Sequence, residues 1–328
     1  MCFARIRELT SKFEYKFACW RGYCPTLKER NNYKIKELAN KFKTNSNKET
    51  LTNVLEWQDR NIVFWSERWL LSFAFYFLLF LSVFFLLLFL RFDFPIFGWF
   101  TIGFVSSTLT IFSILVSLLK LIRKIPIRAG LRNTLAQSIS IDFLIENKLG
   151  ICRDYAKLTA FLLHNIYTNQ NIFFPQSSNH VAAGVIIENK LYMIDQHLPI
   201  VTIDKWHKRN NADKNVAKLE GEHLEWIKLN SLLSKNTINK PNIKKLDYDM
   251  AKMLDIREST TDTKFSELKI RWKKGAMLYE DDEIVNYSLA RWLKTKVSNE
   301  MVELTHVTKL EALPDGADLV FRISLKTE

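Results

Sequence analysis

Three short phrases between Gly150 and Asp195 restrict what this chain can fold into more than any other part of it. Gly-Ile-Cys-Arg-Asp-Tyr-Ala (Gly150 to Ala156) opens an apolar, helix-like run. Asn-His-Val (Asn179 to Val181) opens a strand-like run, and Met-Ile-Asp-Gln (Met193 to Gln196) closes the next one. A thiol on a helix tip serves an imidazole and a carboxylate on a hairpin only when helix and sheet pack together.

The helix is read from Cys152 to about Tyr167, with an apolar face of Tyr155, Leu158, Leu162, Leu163 and Ile166. Gly150 is expected to end the preceding helical run, Asn133 to Lys148. At the N-terminus of its helix, Cys152 meets unpaired N–H groups and the positive end of the dipole, which favour a thiolate. The same N–H groups can stabilise an oxyanion on an attacked carbonyl, and Gly150 leaves room for substrate to approach the sulfur. A lone cysteine is more often a small buried hydrophobe; the neighbours turn the balance toward a nucleophile.

His180 to Ile187 reads as one strand and Leu191 to His197 as the next, turned at Glu188-Asn189 or Asn189-Lys190. The first turn sets Asp195 opposite Ala182, the second opposite Gly184. Either register puts His180 and Asp195 on one face, because side chains alternate with period two; in the first they are diagonal neighbours. A three-residue turn without a bulge would separate them. Ala182 and Gly184 share that face, and their small size is expected to leave a depression for the helix tip. His180 would take the thiol proton and return one to a leaving amine, while Asp195 holds the imidazole. Alone, each of these residues has a plain structural reading; the combination is what points to acyl transfer through a thioester.

The remaining candidates are weaker. His197, near Asp195, is expected either to support His180 from behind or to be structural, His164 to lie on a helix surface, and Arg153 and Asp154 to belong to the helix start. Gln137 and Asn179 are open as oxyanion donors. The other cysteines, Cys2, Cys19 and Cys24, are expected to be reduced in a cytoplasmic compartment. Cys19 and Cys24 lack the second pair that a zinc site needs. No metal and no cofactor is expected, and there is no phosphate-cradling glycine loop.

Two runs carry no charge at all: Trp69 to Leu90, and Phe94 to Leu119 after a break of Arg91, Phe92 and Asp93. At its helical rise the first reaches roughly 30 Å, the thickness of a hydrocarbon core. They read as a transmembrane helical hairpin, with Pro95 in the first turn of its second helix. Ser106, Thr110, Ser113 and Ser117 fall on one face, where small residues allow close approach. Lys120, Arg123, Lys124, Arg128 and Arg132 follow with no acid before Asp142, so the positive-inside rule puts both termini in the cytoplasm. The formal net charge of +12 fits a partner of anionic lipid. No nucleic-acid module is present, so nucleic acid is not expected as a partner.

The phrases Gly-Ile-Cys-Arg-Asp-Tyr-Ala, Asn-His-Val and Ile-Asp resemble the transglutaminase-like superfamily. Ile194 to Trp206, together with the hairpin, is similar to an archaeal group of membrane-anchored transglutaminase-like proteins. That resemblance implies an α+β, papain-like domain, a helix carrying Cys152 packed on an antiparallel sheet carrying His180 and Asp195, with Cys152 as nucleophile, His180 as base and Asp195 as orienting acid. Two positions depart from the pattern: Ala182 stands where many relatives have Trp, and Gln196 where many have Pro. The expected organisation is a basic N-terminal segment (1–68), the hairpin (69–90 and 94–119), a catalytic core (120–206) and an α/β extension (207–328). Within the first, Asn45 to Asn47 reads as a linker, and Trp57 and Trp65 lie just before Trp69. Within the last, Leu219 to Leu233, Lys244 to Arg257 and Ile284 to Val297 read as helices. Met301 to His306 and Asp318 to Lys326 read as strands around a turn at Leu313-Pro314-Asp315-Gly316. The expected function is a membrane-anchored, cytoplasmic thiol enzyme acting on peptide or isopeptide amides, with water or an amine as acceptor. The alternative is a catalytically silent membrane scaffold that binds proteins.

Overall fold

The computed structural model of the chain describes residues 29, 31–65, 77, 79–81, 83, 84, 87, 98–107, 110, 111, 114, 139–168, 171–177, 180–197, 199–220, 223–233, 265–280, 282–300 and 306–326. By internal contacts the chain divides into two compact units. One comprises 20–22 and 62–154, the other 1–19, 23–61 and 155–328.

The larger unit opens with helices α1 (Tyr33–Phe42) and α2 (Asn47–Asn61). Asn32 caps α1 by accepting from Lys34 N at 2.9 Å. The polar stretch between the helices is a tight joint, with Thr44 N donating to Thr50 Oγ1 at 3.0 Å. In the smaller unit, strand β1 (Val63–Phe64) pairs in parallel with β2 (Leu149–Gly150), just after helix α3 (Ile141–Asn147). Ser140 caps the start of α3, accepting from Phe143 N, and Lys148 ends it in the left-handed region with φ 56°. The expected run to Lys148 thus ends at the observed cap, while Gly150 itself lies in β2. Residues 121–138, where that helix was to begin, lie outside the described residues.

Helix α4 (Cys152–Ile166) matches its sequence expectation closely. Tyr155, Ala156, Leu158, Ala160, Phe161, Leu162, Leu163 and Ile166 are all buried, so the helix is enclosed on more than one face. The buried Gln58 of α2 donates to Thr159 Oγ1 of α4 at 2.7 Å. Lys157 of α4 is buried and paired with Glu29 at 2.7 Å.

The remaining strands are β3 (Ile172–Phe174), β4 (Ala183–Ile187), β5 (Lys190–Ile194) and β6 (Val201–Thr202), then helix α5 (Ile203–Asn210), β7 (Asn215–Glu220) and β8 (His223–Lys228). They form one six-stranded sheet in the order β6-β5-β4-β3-β7-β8, antiparallel throughout. The turn between β4 and β5 is Glu188-Asn189, both at positive φ (51° and 64°), with Ile187 paired to Lys190. Two consecutive left-handed residues match the twist of the flanking strands. Strand β4 begins at Ala183 rather than His180, because the preceding backbone bonds elsewhere. Ala182 N donates to Pro175 O at 3.2 Å, and Val181 makes a single bridge to Gln176. Residues 215–228 form a hairpin where Leu219 to Leu233 reads as helix.

A second sheet, ordered β10-β11-β9, uses β9 (Phe265–Trp272), β10 (His306–Asp315) and β11 (Asp318–Lys326). Its apolar residues share a core with helix α6 (Glu283–Glu300) through Leu289, Leu293, Leu319, Phe321 and Ile323. Strand β10 starts where the sequence expectation places an end, and the turn tightens to Gly316-Ala317, between paired Asp315 and Asp318. The expected helix Lys244 to Arg257 lies outside the described residues. Helix α6 is tied to the first sheet by Asp282, which accepts from Ile284 N at 3.0 Å, Lys190 Nζ at 2.6 Å and Tyr192 Oη at 3.0 Å. One carboxylate thus caps the helix and grips β5.

The transmembrane hairpin at 69–90 and 94–119 is corrected. Among the described residues, no helix is long and apolar enough to cross a membrane. A span takes about 20 apolar residues in one unbroken helix. The longest unbroken helical stretch described there, 98–107, rises only roughly 15 Å. Much of 69–119 lies outside the described residues. The fold class is α+β without that hairpin, and the multi-pass membrane localisation with cytoplasmic termini, which rested on it, is withdrawn.

The β4–β5 register depends on Gly184, where an added Cβ would lie 2.5 Å from Tyr192 O and 2.7 Å from Met193 Sδ. The space at Gly184 is filled by the partner strand, so the expected depression is not there. Substituting Gly184→Ala should destabilise the fold by roughly 1–3 kcal/mol, read as a lower denaturation midpoint. An unchanged midpoint would contradict this packing.

Candidate functional site

Residue Cys152 is the first residue of α4, half-buried, with a free thiol. The start of α4 is fixed from one turn inside the helix. Asp154 N donates to Ile151 O at 2.8 Å, and the Asp154 carboxylate accepts from Ile151 N at 3.0 Å. This is the backward-reaching half of a capping box, so Asp154 is a structural acid. A Cβ on Gly150 would lie 3.2 Å from Asp154 Cβ and 2.9 Å from Leu144 Cδ1. Glycine therefore lets the chain cross Asp154 closely enough for the cap to form. Arg153 follows at a half-buried position of the first turn.

The larger unit brings His180 and Asp195 together. His180 Nε2 lies 2.9 Å from Asp195 Oδ1 and 2.8 Å from Oδ2. The Asp195 residue is only 4% exposed, a depth at which a carboxylate persists only with donors around it. It has three. Gln196 N donates to Oδ1 at 3.0 Å, Trp206 Nε1 donates to Oδ2 at 2.9 Å, and the imidazole N–H supplies the third. The Trp206 ring also stacks on His180, with centroids 6.0 Å apart and planes at 25°. An Nε2–H donated to the carboxylate fixes the neutral imidazole in the tautomer whose basic lone pair is on Nδ1.

Trp206 is the site residue that the sequence motifs miss. It comes from α5, whose Ile203 and Trp206 are both buried in the core with Ala182, Met193 and Val216. A buried indole needs an acceptor for its N–H; that requirement, set against the strand-end acid Asp195, is the signal that pairs them. The start of α5 is clamped in turn. Thr202 N and Oγ1 donate to the Glu280 carboxylate at 2.6 and 2.7 Å. Burial pushes the Glu280 carboxyl above its ordinary value, against the pull of the two Thr202 bonds and of Lys205.

The other candidates fall outside this arrangement. The imidazole of His197 pairs with Asp59 of α2 through Nδ1 at 2.5 Å, edge-on to Tyr155. Burial, with Asp59 nearby, raises the Tyr155 hydroxyl well above the usual tyrosine range. His197 thereby fastens the segment after β5 to α2. His164 is half-buried on α4. Gln137, Asn179, Cys2, Cys19 and Cys24 lie outside the described residues. Among the described residues, no group of three or more His, Cys, Asp or Glu is arranged to hold a metal ion.

Removal of the Asp195 carboxylate strands buried donors. We expect Asp195→Ala to lower stability by about 3 kcal/mol, since each unsatisfied buried group costs roughly 1–3 kcal/mol. Asp195→Asn, which keeps one acceptor oxygen, should lose less. Chemical denaturation of the two variants checks the order; equal and small losses would contradict the three-donor arrangement.

Comparison with known proteins adds two matches. The family described as "Transglutaminase-like domain" matches residues 33–220. A protein of Methanocaldococcus jannaschii, named UPF0252 protein MJECL39, is 30% identical over 228 residues, covering 66% of this chain and 64% of that protein. The chain thus spans less than two thirds of that relative's length. No solved structure matches.

Proposed function

Because the chain belongs to the transglutaminase-like family, matched over residues 33–220, we propose that it is a thiol enzyme. It would transfer or hydrolyse acyl groups of peptide or isopeptide amides, with Cys152, His180 and Asp195 in the roles of nucleophile, base and orienting acid. The single observation that carries this reading is the His180–Asp195 pair: a buried carboxylate holding Nε2 at 2.8–2.9 Å. An imidazole so held is a general base in a fixed tautomer. Support also comes from Cys152 as the first residue of α4, a helix whose start is capped by Asp154.

In this reaction the His180 imidazole takes the Cys152 thiol proton. The thiolate attacks the amide carbon, an S–C bond forms, and the carbonyl electron pair moves onto oxygen. The tetrahedral species collapses, the C–N bond breaks, and the imidazolium gives its proton to the departing amine. A water or a second amine then gives up a proton to His180 as it attacks the thioester carbon; the C–S bond breaks, and the proton held on His180 passes to the departing sulfur, which restores the thiol. Asp195 stays ionised throughout and stabilises the imidazolium. Backbone N–H groups at the α4 tip are the oxyanion donors that this mechanism uses.

Site-resolved alkylation with iodoacetamide at about pH 6, well below the usual thiol range, tests the reading. Cys152 should react well ahead of Cys2, Cys19 and Cys24, and His180→Ala should slow it by about tenfold or more. Equal labelling of all four cysteines at a free-thiol rate would favour the alternative, a catalytically silent transglutaminase-like scaffold that binds proteins.

A further inference from the structure

We infer that Trp206 is the positioning residue of the His180–Asp195 pair; this rests on the proposed catalytic role of that pair and adds the residue that orients it. Both partners end in soft torsions. The terminal χ2 of Asp and of His is broad and roughly two-fold, so neither group holds its own orientation. Trp206 restrains both at once. Its Nε1–H grips Asp195 Oδ2 at 2.9 Å, while its ring lies on the imidazole with planes at 25°. The Gln196 N–H holds the other oxygen at 3.0 Å. With each carboxylate oxygen gripped once, His180 Nε2 sits almost equally far from the two, at 2.9 and 2.8 Å.

The indole is itself immobilised. It is 1% exposed, packed with Phe173, Met193 and Val216, on a helix whose start is clamped by Glu280. A purely space-filling tryptophan would need the ring alone. Here the one polar atom of the side chain is spent on the acid that holds the base, so the donor and the ring act separately and can be tested separately.

Phenylalanine at this position keeps a stacking ring and removes the donor. In the full-length chain, the His180 Nε2–H proton followed by NMR should exchange about tenfold faster or more in Trp206→Phe than in the unsubstituted protein, as expected for a lost bond to a charged acceptor. The control is Val216→Ala, in the same core cluster but on β7, which carries neither member of the pair. It should lower the melting temperature and leave that exchange rate unchanged. Unchanged exchange in Trp206→Phe would overturn the inference. So would an equal acceleration in Val216→Ala, because Trp206 would then act only through core packing. No readout here passes through turnover, so a failure of the enzyme reading, seen as an inert Cys152, is told apart from a failure of the positioning itself, seen as unchanged exchange.

Discussion

A carboxylate buried in an apolar core is tolerated only when its charge is met by donors, and Asp195 organises the larger unit around that requirement. The three donors come from three places in the sequence. His180 arrives from the loop before β4, Gln196 from the backbone immediately after β5, and Trp206 from α5. The hairpin register, the break of β5 at Ile194 and the docking of α5 all serve one small group of atoms. The departure at Gln196 acquires a meaning here. A proline directly after the aspartate has no N–H to give, whereas Gln196 donates its N–H to Oδ1.

Residues far along the chain brace this arrangement. Strands β7 and β8 extend the six-stranded sheet beyond β3. Glu280 clamps the start of α5, Ser288 accepts from Ile200 N at 2.8 Å, and Asp282 joins the α6 cap to Lys190 and Tyr192. Arg291 of α6 reaches Glu56 of α2 at 2.7 and 2.8 Å. The segment beyond residue 206, whose sequence carries little sign of chemistry, thereby fixes the elements that carry His180, Asp195 and Trp206. Asp154 and Gly150 set the start of α4 by purely local means.

Local signals were the readable ones. Helix α4 follows from its apolar periodicity, and Glu188-Asn189, one of the two turns open in the sequence, sets the β4–β5 register, while His180 reaches Asp195 from the loop before β4 rather than from the strand. The long-range pairings were not readable in the same way. The indole–carboxylate bond joins residues whose meeting depends on how α5 docks, which no periodicity encodes. Leu219 to Leu233 was read as helix because apolar residues recur at compatible spacing, yet Leu219 pairs with Leu224 across a hairpin. Strand β9 was missed although Leu268, Ile270 and Trp272 alternate with polar residues, the period of a half-buried strand. The charge-free runs at 69–119 suggest a hairpin by hydropathy alone, which does not record how a run folds; among the described residues no helix is long and apolar enough to span.

The central claim is that this family member carries chemistry on Cys152, served by a base that Asp195 holds in place. Intact-mass analysis with site mapping, after brief exposure to an activated acyl ester at neutral pH, tests it most directly. The account predicts a single acyl group, located on Cys152, whose formation is lost in His180→Ala and whose release is quickened by an added amine. Acylation spread evenly over the four cysteines, or a Cys152 adduct that forms as fast without the imidazole, would contradict it.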